Sequence, residues 1–373
     1  MSAAPPREQV HSLEEVQAIV RNAHKVLPTG AGSKPALTRI ASGAEIVDMR
    51  GLSGIVEYKP AEYTITALAG TPVSELDTAL RENGQFLPFD PVLVAAGSTV
   101  GGMVASGLSG SGRLRYGGLR DFILGTRFVD GKGRLIRGGG KVVKNAAGFD
   151  FPKLLVGSLG RLGILIDATF KVFPRPASYA SVLATYDDLQ VAIDDMQRLS
   201  VSPVELIAMD LIGQADGGRY TLATRIGGSE ELLPARAERL QSMLPNAEVL
   251  GRNADIAAWK AATELSWVDE QTVEYPLFVK VPLTLATIPG VESALAENRP
   301  VRRYAVAGNV LWLPWSGSAD TLHELLSGLG LAGVVLRGGS ATPLIGAAVE
   351  SVFAKRIKAA IDPDDVFQTI YPA

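Results

Sequence analysis

Glycine placement constrains this chain more than any other feature of it. Forty glycines are roughly 1.5 times the usual share. They concentrate in segments such as Pro28-Thr-Gly-Ala-Gly-Ser-Lys34 and Ala96-Gly-Ser-Thr-Val-Gly-Gly-Met-Val-Ala-Ser-Gly107. They are clustered rather than spaced as in a repeat or a collagen. Runs of this kind leave successive backbone N–H groups unobstructed by Cβ atoms and able to converge on an anion. Ser33, Ser98, Thr99 and Ser106 add hydroxyl donors. Taken alone, Gly30 and Gly32 read equally well as an ordinary turn. Two such segments together suit a doubly charged pyrophosphate.

The spelling of these segments excludes the commoner nucleotide folds. Gly30-Ala-Gly32 is followed by Pro35 where a third dinucleotide-fold glycine belongs, and no helix start follows it. No G-x-x-x-x-G-K-[ST] segment supports a P-loop, and no G-x-S-x-G segment supports a nucleophile elbow. A formal charge of −3 gives no reason to expect nucleic-acid or anionic-lipid binding. With no cysteine, the chain cannot ligate an iron–sulfur cluster through thiolates of its own. Electrons that reach a cofactor here must therefore leave through another subunit or a diffusible acceptor. No apolar run of about 18 residues and no signal region point to membrane insertion, so a cytoplasmic protein is expected, associated with a membrane only through partners.

Local signals outline the elements. Ser12-Leu-Glu-Glu15 is a capping box, followed by Leu13, Val16, Ile19 and Val20 at helical spacing, which predicts a helix over 12–24. Short strands are expected at 26–28, 45–48, 55–58 and 63–69. Thr71 as N-cap and Pro72 at the first helical position predict another helix ending near Gly84. Residues 97–118 read as a glycine-rich loop. Asp130-Gly-Lys-Gly133 predicts a hairpin between 125–129 and 134–137, and 162–173 reads as a strand closed by Pro174 and Pro176. Beyond them, helices at 187–199, 230–244 and 318–329 with strands between predict a separate α+β domain. A last helix is expected over 346–361, before Asp362-Pro363.

Four ordered motifs resemble the vanillyl-alcohol-oxidase, or PCMH-type, FAD-binding family over about residues 12–175. They are Pro28-Thr-Gly-Ala-Gly-Ser33; Asp90-Pro91 with Gly97-Ser-Thr-Val-Gly-Gly102 and Ser106-Gly107; Arg115-Tyr-Gly-Gly-Leu-Arg-Asp121 with Leu124-Gly125; and Lys144-Asn-Ala-Ala-Gly-Phe-Asp150, which leads into Gly157-Ser-Leu-Gly-Arg-Leu-Gly-Ile164. The resemblance implies an α+β fold. Residues 1–175 would form the two-subdomain FAD-binding domain and 176–345 a smaller α+β cap domain, with 346–373 a tail returning to the first. Within the family, the chain is most similar to the FAD-binding subunits of bacterial glycolate oxidases. These work beside a larger flavin subunit and an iron–sulfur subunit on a small 2-hydroxy acid.

By that resemblance, Pro28, Thr29, Gly30, Ala31, Gly32 and Ser33 would hold the FAD pyrophosphate, together with Pro91, Gly97, Ser98, Thr99, Val100, Gly101 and Gly102. Ser106 and Gly107 would lie along the flavin, whose ring would sit between the two domains, and Gly163 and Ile164 would meet the adenosine end. Ser33 stands where relatives with covalent flavin have histidine, so noncovalent FAD is expected. Leu159 replaces a frequent glutamate. Asp362-Pro363 is not followed by the Asn-Pro-Gly segment common in relatives.

Catalytic residues are not legible. Hydroxy-acid-oxidising relatives carry a histidine-rich metal motif, whereas this chain has His11, His24 and His323, none paired at ligand spacing. No metal site is expected. Arg113, Arg115, Arg120, Arg302 and Arg303 are candidate cations for a carboxylate, each readable also as a local ion pair. Trp312, Trp315 and Tyr304 read as core. The missing acid–base set favours a subunit that holds FAD and relays electrons within a complex. A self-sufficient hydroxy-acid dehydrogenase and a scaffold with a vestigial flavin site are the alternatives.

Overall fold

The computed structural model describes residues 7–38, 44–140, 149–215, 218–268, 276–340, 342–347 and 352–368. The Lys144–Gly148 part of the fourth motif lies outside them, as do residues 348–351 of the expected tail helix. The chain divides into two compact units. One comprises Met1–Ser109, Gly117–Arg175 and Val349–Ala373, and the other Gly110–Tyr116 and Pro176–Ala348. No signal in the sequence marks the transfer of Gly110–Tyr116 to the second unit.

In the first unit a parallel three-stranded sheet places Glu45–Asp48 between Arg7–Gln9 and Val26–Thr29. Helix Leu13–Asn22 covers it. Val16 and Val20, four residues apart on one face, are buried with Val26, Val47 and Phe367. The Ser12 hydroxyl caps the helix by accepting from the Glu15 N–H at 3.2 Å. The Glu15 carboxylate accepts from His11 N–H at 2.7 Å, so the reciprocal half of the box reaches one residue further outward. Val26–Thr29 would be an edge strand, but Val26 N–H donates to Val366 and Gln368 N–H donates back to Val26. The segment after helix Val352–Ile361 therefore runs alongside it. Asp362 fixes that segment, accepting from the N–H groups of Val366 and Phe367 at 2.8 Å each and pairing with Lys358.

The second layer of this unit is an antiparallel sheet in the order Ile55–Lys59, Thr64–Leu68, Ile164–Lys171, Ile123–Val129, Leu135–Gly139. Alternation puts Ile65, Ala67, Ile166, Ala168 and Phe170 in the interior. The opposed Thr66 and Thr169 hydroxyls pair at 2.9 Å, so the buried hydroxyls satisfy each other. The Asp-Gly-Lys-Gly hairpin closes as its sequence demands, with Asp130 Oδ1 accepting from the N–H of Lys132 and of Arg134.

Two local expectations are overturned. Thr71 does not cap the following helix. That helix runs Val73–Glu82 with Pro72 at the cap position, and the Thr71 hydroxyl instead bridges both backbone groups of Gly54. The glycine-rich stretch 97–118 is not simply a loop, since Val100–Ser106 is helical. The Thr99 hydroxyl accepts from Gly102 N–H at 3.2 Å and supplies the cap, while buried Val100, Met103 and Val104 supply packing that outweighs the helix cost of two glycines.

The second unit is built on a nine-stranded sheet ordered Ala247–Val249, Ser178–Tyr186, Tyr220–Gly228, Ala208–Gly213, Arg302–Ala305, Val310–Trp315, Leu277–Pro282, Ala332–Gly338, Leu344–Gly346. Helices Leu189–Ser200, Leu233–Ser242 and Ala319–Gly328 match the expected spans closely, the first running one residue past its expected end. A further helix, Arg252–Glu264, starts at Gly251 without a side-chain cap and gives no boundary signal. Trp312, Trp315 and Tyr304 are buried in the sheet.

Candidate functional site

Both glycine segments meet around one cavity of the first unit. Strand Val26–Thr29 delivers the first segment and Thr99 opens the second, and the two approach closely enough that a Cβ on Gly30 would collide with Thr99 Oγ1. Only glycine fits there. Gly32 has φ +72° and faces open space, so a side chain would be strained and would fill the cavity. Of the residues singled out from the sequence, Pro28, Thr29, Gly30, Ala31, Gly32, Ser33, Thr99, Gly101, Gly102, Ser106, Gly163 and Ile164 line this cavity.

Pro91, Gly97, Ser98, Val100 and Gly107 stand outside the lining. Val100 is core, and Gly107 terminates the helix in the left-handed conformation. Much of the second segment spends its backbone donors internally: Gly97 N–H on Val94, Ser98 on Leu93, Val100 on Thr71 and Gly101 on Ala69. Among the described residues, the N–H groups of Ala31, Gly32, Ser33 and Thr99 have no recorded acceptor. These are the donors open to an anion.

The sequence reading gave no role to several further lining residues. Leu37, Met49, Val104, Leu155, Leu159 and Leu165 form an apolar wall, and Ser158 and Gly160 approach from the segment before Ile164. Leu159 has φ +53° and is held by its N–H bond to Ala105 at 2.9 Å. The most consequential omission is Lys34, the one charged residue of the lining. It is 6% exposed, and its Nζ donates to Ser33 Oγ at 3.0 Å and to Ser98 Oγ at 3.2 Å. Burial pushes its pKa down to about 8. The signal was a lysine directly after the glycine-serine run, in a segment already marked as an anion cradle.

The other candidates fall elsewhere. Arg120 is exposed and is not part of the lining. Arg115 pairs with the exposed Glu205 in the second unit. Arg302 is buried against Glu292, which also accepts from Tyr304 and Tyr220, and Arg303 is buried against Asp210. His11 and His24 are exposed, while His323 Nδ1 accepts from Gly346 N–H at 3.0 Å. Among the described residues no group of three or more metal-ligating side chains converges, and no helix is long and apolar enough to cross a membrane.

A cavity lined by glycines, free N–H groups, hydroxyls, one buried cation and an apolar wall, and by no carboxylate, matches the demands of a cofactor that is anionic at its phosphates and apolar at its rings. Fold and cavity define the class: an FAD-binding oxidoreductase of mixed helix and sheet. The FAD binding domain family matches residues 8–139. Among solved structures, two crystal forms of alkyldihydroxyacetonephosphate synthase share the fold at TM-scores of 0.74 and 0.71 with 17% and 16% identity. The matches cover 98% and 96% of this chain and 77% and 76% of theirs.

Glycolate oxidase subunit GlcE of Escherichia coli (strain K12) is 33% identical over 85% of this chain and 84% of its own length. D-2-hydroxyglutarate dehydrogenase of Xanthomonas citri pv. viticola is 35% identical over 46% of this chain, and glycolate oxidase subunit GlcD of Bacillus subtilis 31% over 50%. The chain spans only 38% and 40% of those two relatives. It belongs to the PCMH-type family of FAD-dependent oxidoreductases that includes the glycolate oxidase subunits, and FAD is its cofactor.

Proposed function

We propose that the chain is the FAD-carrying subunit of a multi-subunit enzyme that oxidises a small 2-hydroxy acid, glycolate first among them. Its partners would be a larger flavin subunit and an iron–sulfur subunit. The observation that carries this is the cavity of the first unit, in a chain that matches a glycolate oxidase subunit along most of both lengths. Bound FAD supplies two-electron redox chemistry. The N–H groups of Ala31, Gly32 and Ser33 and the edge of Thr99 would orient the pyrophosphate. Val104, Leu155 and Leu159 would exclude water beside it, and Gly163 and Ile164 would meet the adenosine end. Ser33, in place of a histidine, leaves the cofactor noncovalent. No carboxylate or histidine lines the cavity, which supports a reading in which a partner removes the substrate proton.

The test is spectroscopic. The purified chain, reconstituted with FAD, is expected to show flavin absorbance that denaturation releases. Under anaerobic conditions glycolate is expected to leave that absorbance intact in the isolated chain and to bleach it when the partner subunits are added. A chain that takes up no FAD alone or in the complex defeats the reading.

A self-sufficient dehydrogenase is the second reading, favoured by Lys280. This lysine of strand Leu277–Pro282 is half-buried, and among the described residues it has no ion-pair partner. Burial and the nearby Arg113 charge push its pKa down to about 8. It would be a cation for the substrate carboxylate. Bleaching of the isolated chain by glycolate, lost in Lys280→Met, selects this reading.

A further inference from the structure

Among the described residues ten charged side chains are almost fully buried. Nine of them meet an opposite charge, as Asp48 meets Arg50 and Arg303 meets Asp210. Lys34 is the exception. Among the described residues its hydrogen-bond partners are two neutral hydroxyls, Ser33 Oγ from the first glycine segment and Ser98 Oγ from the second. An ammonium has three donors, so among the described residues one remains without a partner. Burying a charge against hydroxyls alone leaves it undercompensated, which is why its pKa is lowered. Folding keeps this uncompensated charge beside a cavity whose lining holds no carboxylate.

We propose that Lys34 is the charge-recognising residue of the cofactor site: its ammonium, held between Ser33 and Ser98, pairs with the pyrophosphate of FAD and ties the two glycine segments together around it. This rests on the FAD reading above and goes beyond backbone amides as the sole anion donors. Because Lys34 touches both segments, the bound anion completes a bridge that the hydroxyls only begin. In the unliganded protein the same lysine is a local weakness.

The test compares wild type, Lys34→Met and Lys34→Arg as apoproteins, each first shown to be folded by circular dichroism and thermal melting. Binding of FAD is titrated by flavin fluorescence, and ADP-ribose, which carries the pyrophosphate without the flavin, is used as competitor. Lys34→Met is expected to weaken FAD and ADP-ribose alike by about 10- to 100-fold, the range of a lost charge-assisted contact. Its binding is also expected to become less sensitive to salt, while its melting temperature holds or rises. Lys34→Arg is expected to recover part of the affinity. Unchanged FAD affinity in a folded Lys34→Met protein overturns the proposal. So does a loss confined to FAD with ADP-ribose competition unaltered, which would put the charge at the flavin ring. A melting temperature that falls with the affinity, in Lys34→Met and in Lys34→Gln, would make Lys34 structural. Failure of the wild type to bind FAD would instead defeat the parent reading.

Discussion

Two buried cations, one in each unit, are treated in opposite ways. In the second, Arg302 has 0% side-chain exposure, and everything it needs is within reach. Glu292 takes its Nε and one terminal nitrogen, the carbonyls of Gln214 and Pro300 take the other, and Tyr304 and Tyr220 donate to the same carboxylate. Burial alone would raise the Glu292 carboxyl, yet the hydrogen bonds and charge of Arg302 and the two tyrosines bring it below its usual value. In the first unit Lys34 is nearly as buried and has two hydroxyls. A closed polar set holds a sheet together and has nothing left to offer. An open one costs stability and keeps its valence for something that arrives later. Burial does not separate Arg302 from Lys34; the partners that tertiary structure brings to each do.

The contrast can be broken most forcefully at Glu292. Glu292→Ala strands Arg302 in the interior and is expected to destabilise the protein by about 3–5 kcal/mol, read as a lowered midpoint in urea. FAD affinity of the surviving folded fraction should hold. Gly30→Ala comes next, because its Cβ meets the short, branched side chain of Thr99. Overpacking there should cost about 1–3 kcal/mol and weaken FAD binding as well, measured by melting and flavin fluorescence.

A pH series sharpens the comparison. The Lys34 pKa is about 8 in the folded protein and about 10.4 in an unfolded chain. Between these values the unfolded state holds a proton that the folded state has lost, so this residue's contribution makes the apoprotein more stable as pH rises through that window. The penalty is fully present below about pH 8. Wild type should therefore gain on Lys34→Met between pH 7 and about 10 in urea unfolding, and FAD affinity of wild type should fall over the same interval as the ammonium is lost. Glu292 works in the other direction. With its folded pKa depressed, its stabilisation is present at neutral pH and is lost as pH falls through the carboxylate range. The smallest effect belongs to Ser12→Ala, which removes one helix cap for about 1 kcal/mol and should leave FAD titrations unchanged.

Much of the fold was legible where local chemistry decides. The Asp130 hairpin, the Ser12 cap and the β-branched strand Thr64–Leu68 act over a few residues and fold as written. The Val100–Ser106 helix was hidden because its glycines argue against it, and only the packing of Val100, Met103 and Val104 reveals why it forms. Thr71 misled because its hydroxyl had a better offer from Gly54, across a loop. In the site, the first glycine segment announced itself, since free N–H groups follow from glycine spacing. The internal bonding of the second segment did not, because its acceptors at Ala69, Thr71 and Leu93 are fixed by tertiary structure. Lys34 carries no sequence signal of burial. Arg302 and Arg303, adjacent in sequence, gave no hint that each has its own carboxylate.

The strand that presents the first glycine segment is completed by a piece of chain lying 340 residues further on, since Lys25 and Val26 are clasped by Asp365, Val366 and Gln368. A nascent chain can write the whole cradle and still lack the outer rail of that strand until residue 368 has been made. Flavin binding is therefore expected to tighten once that segment has joined the strand. Any proteolytic nick that frees the segment around Asp362 should loosen the cofactor from a distance, without touching a single residue of its pocket.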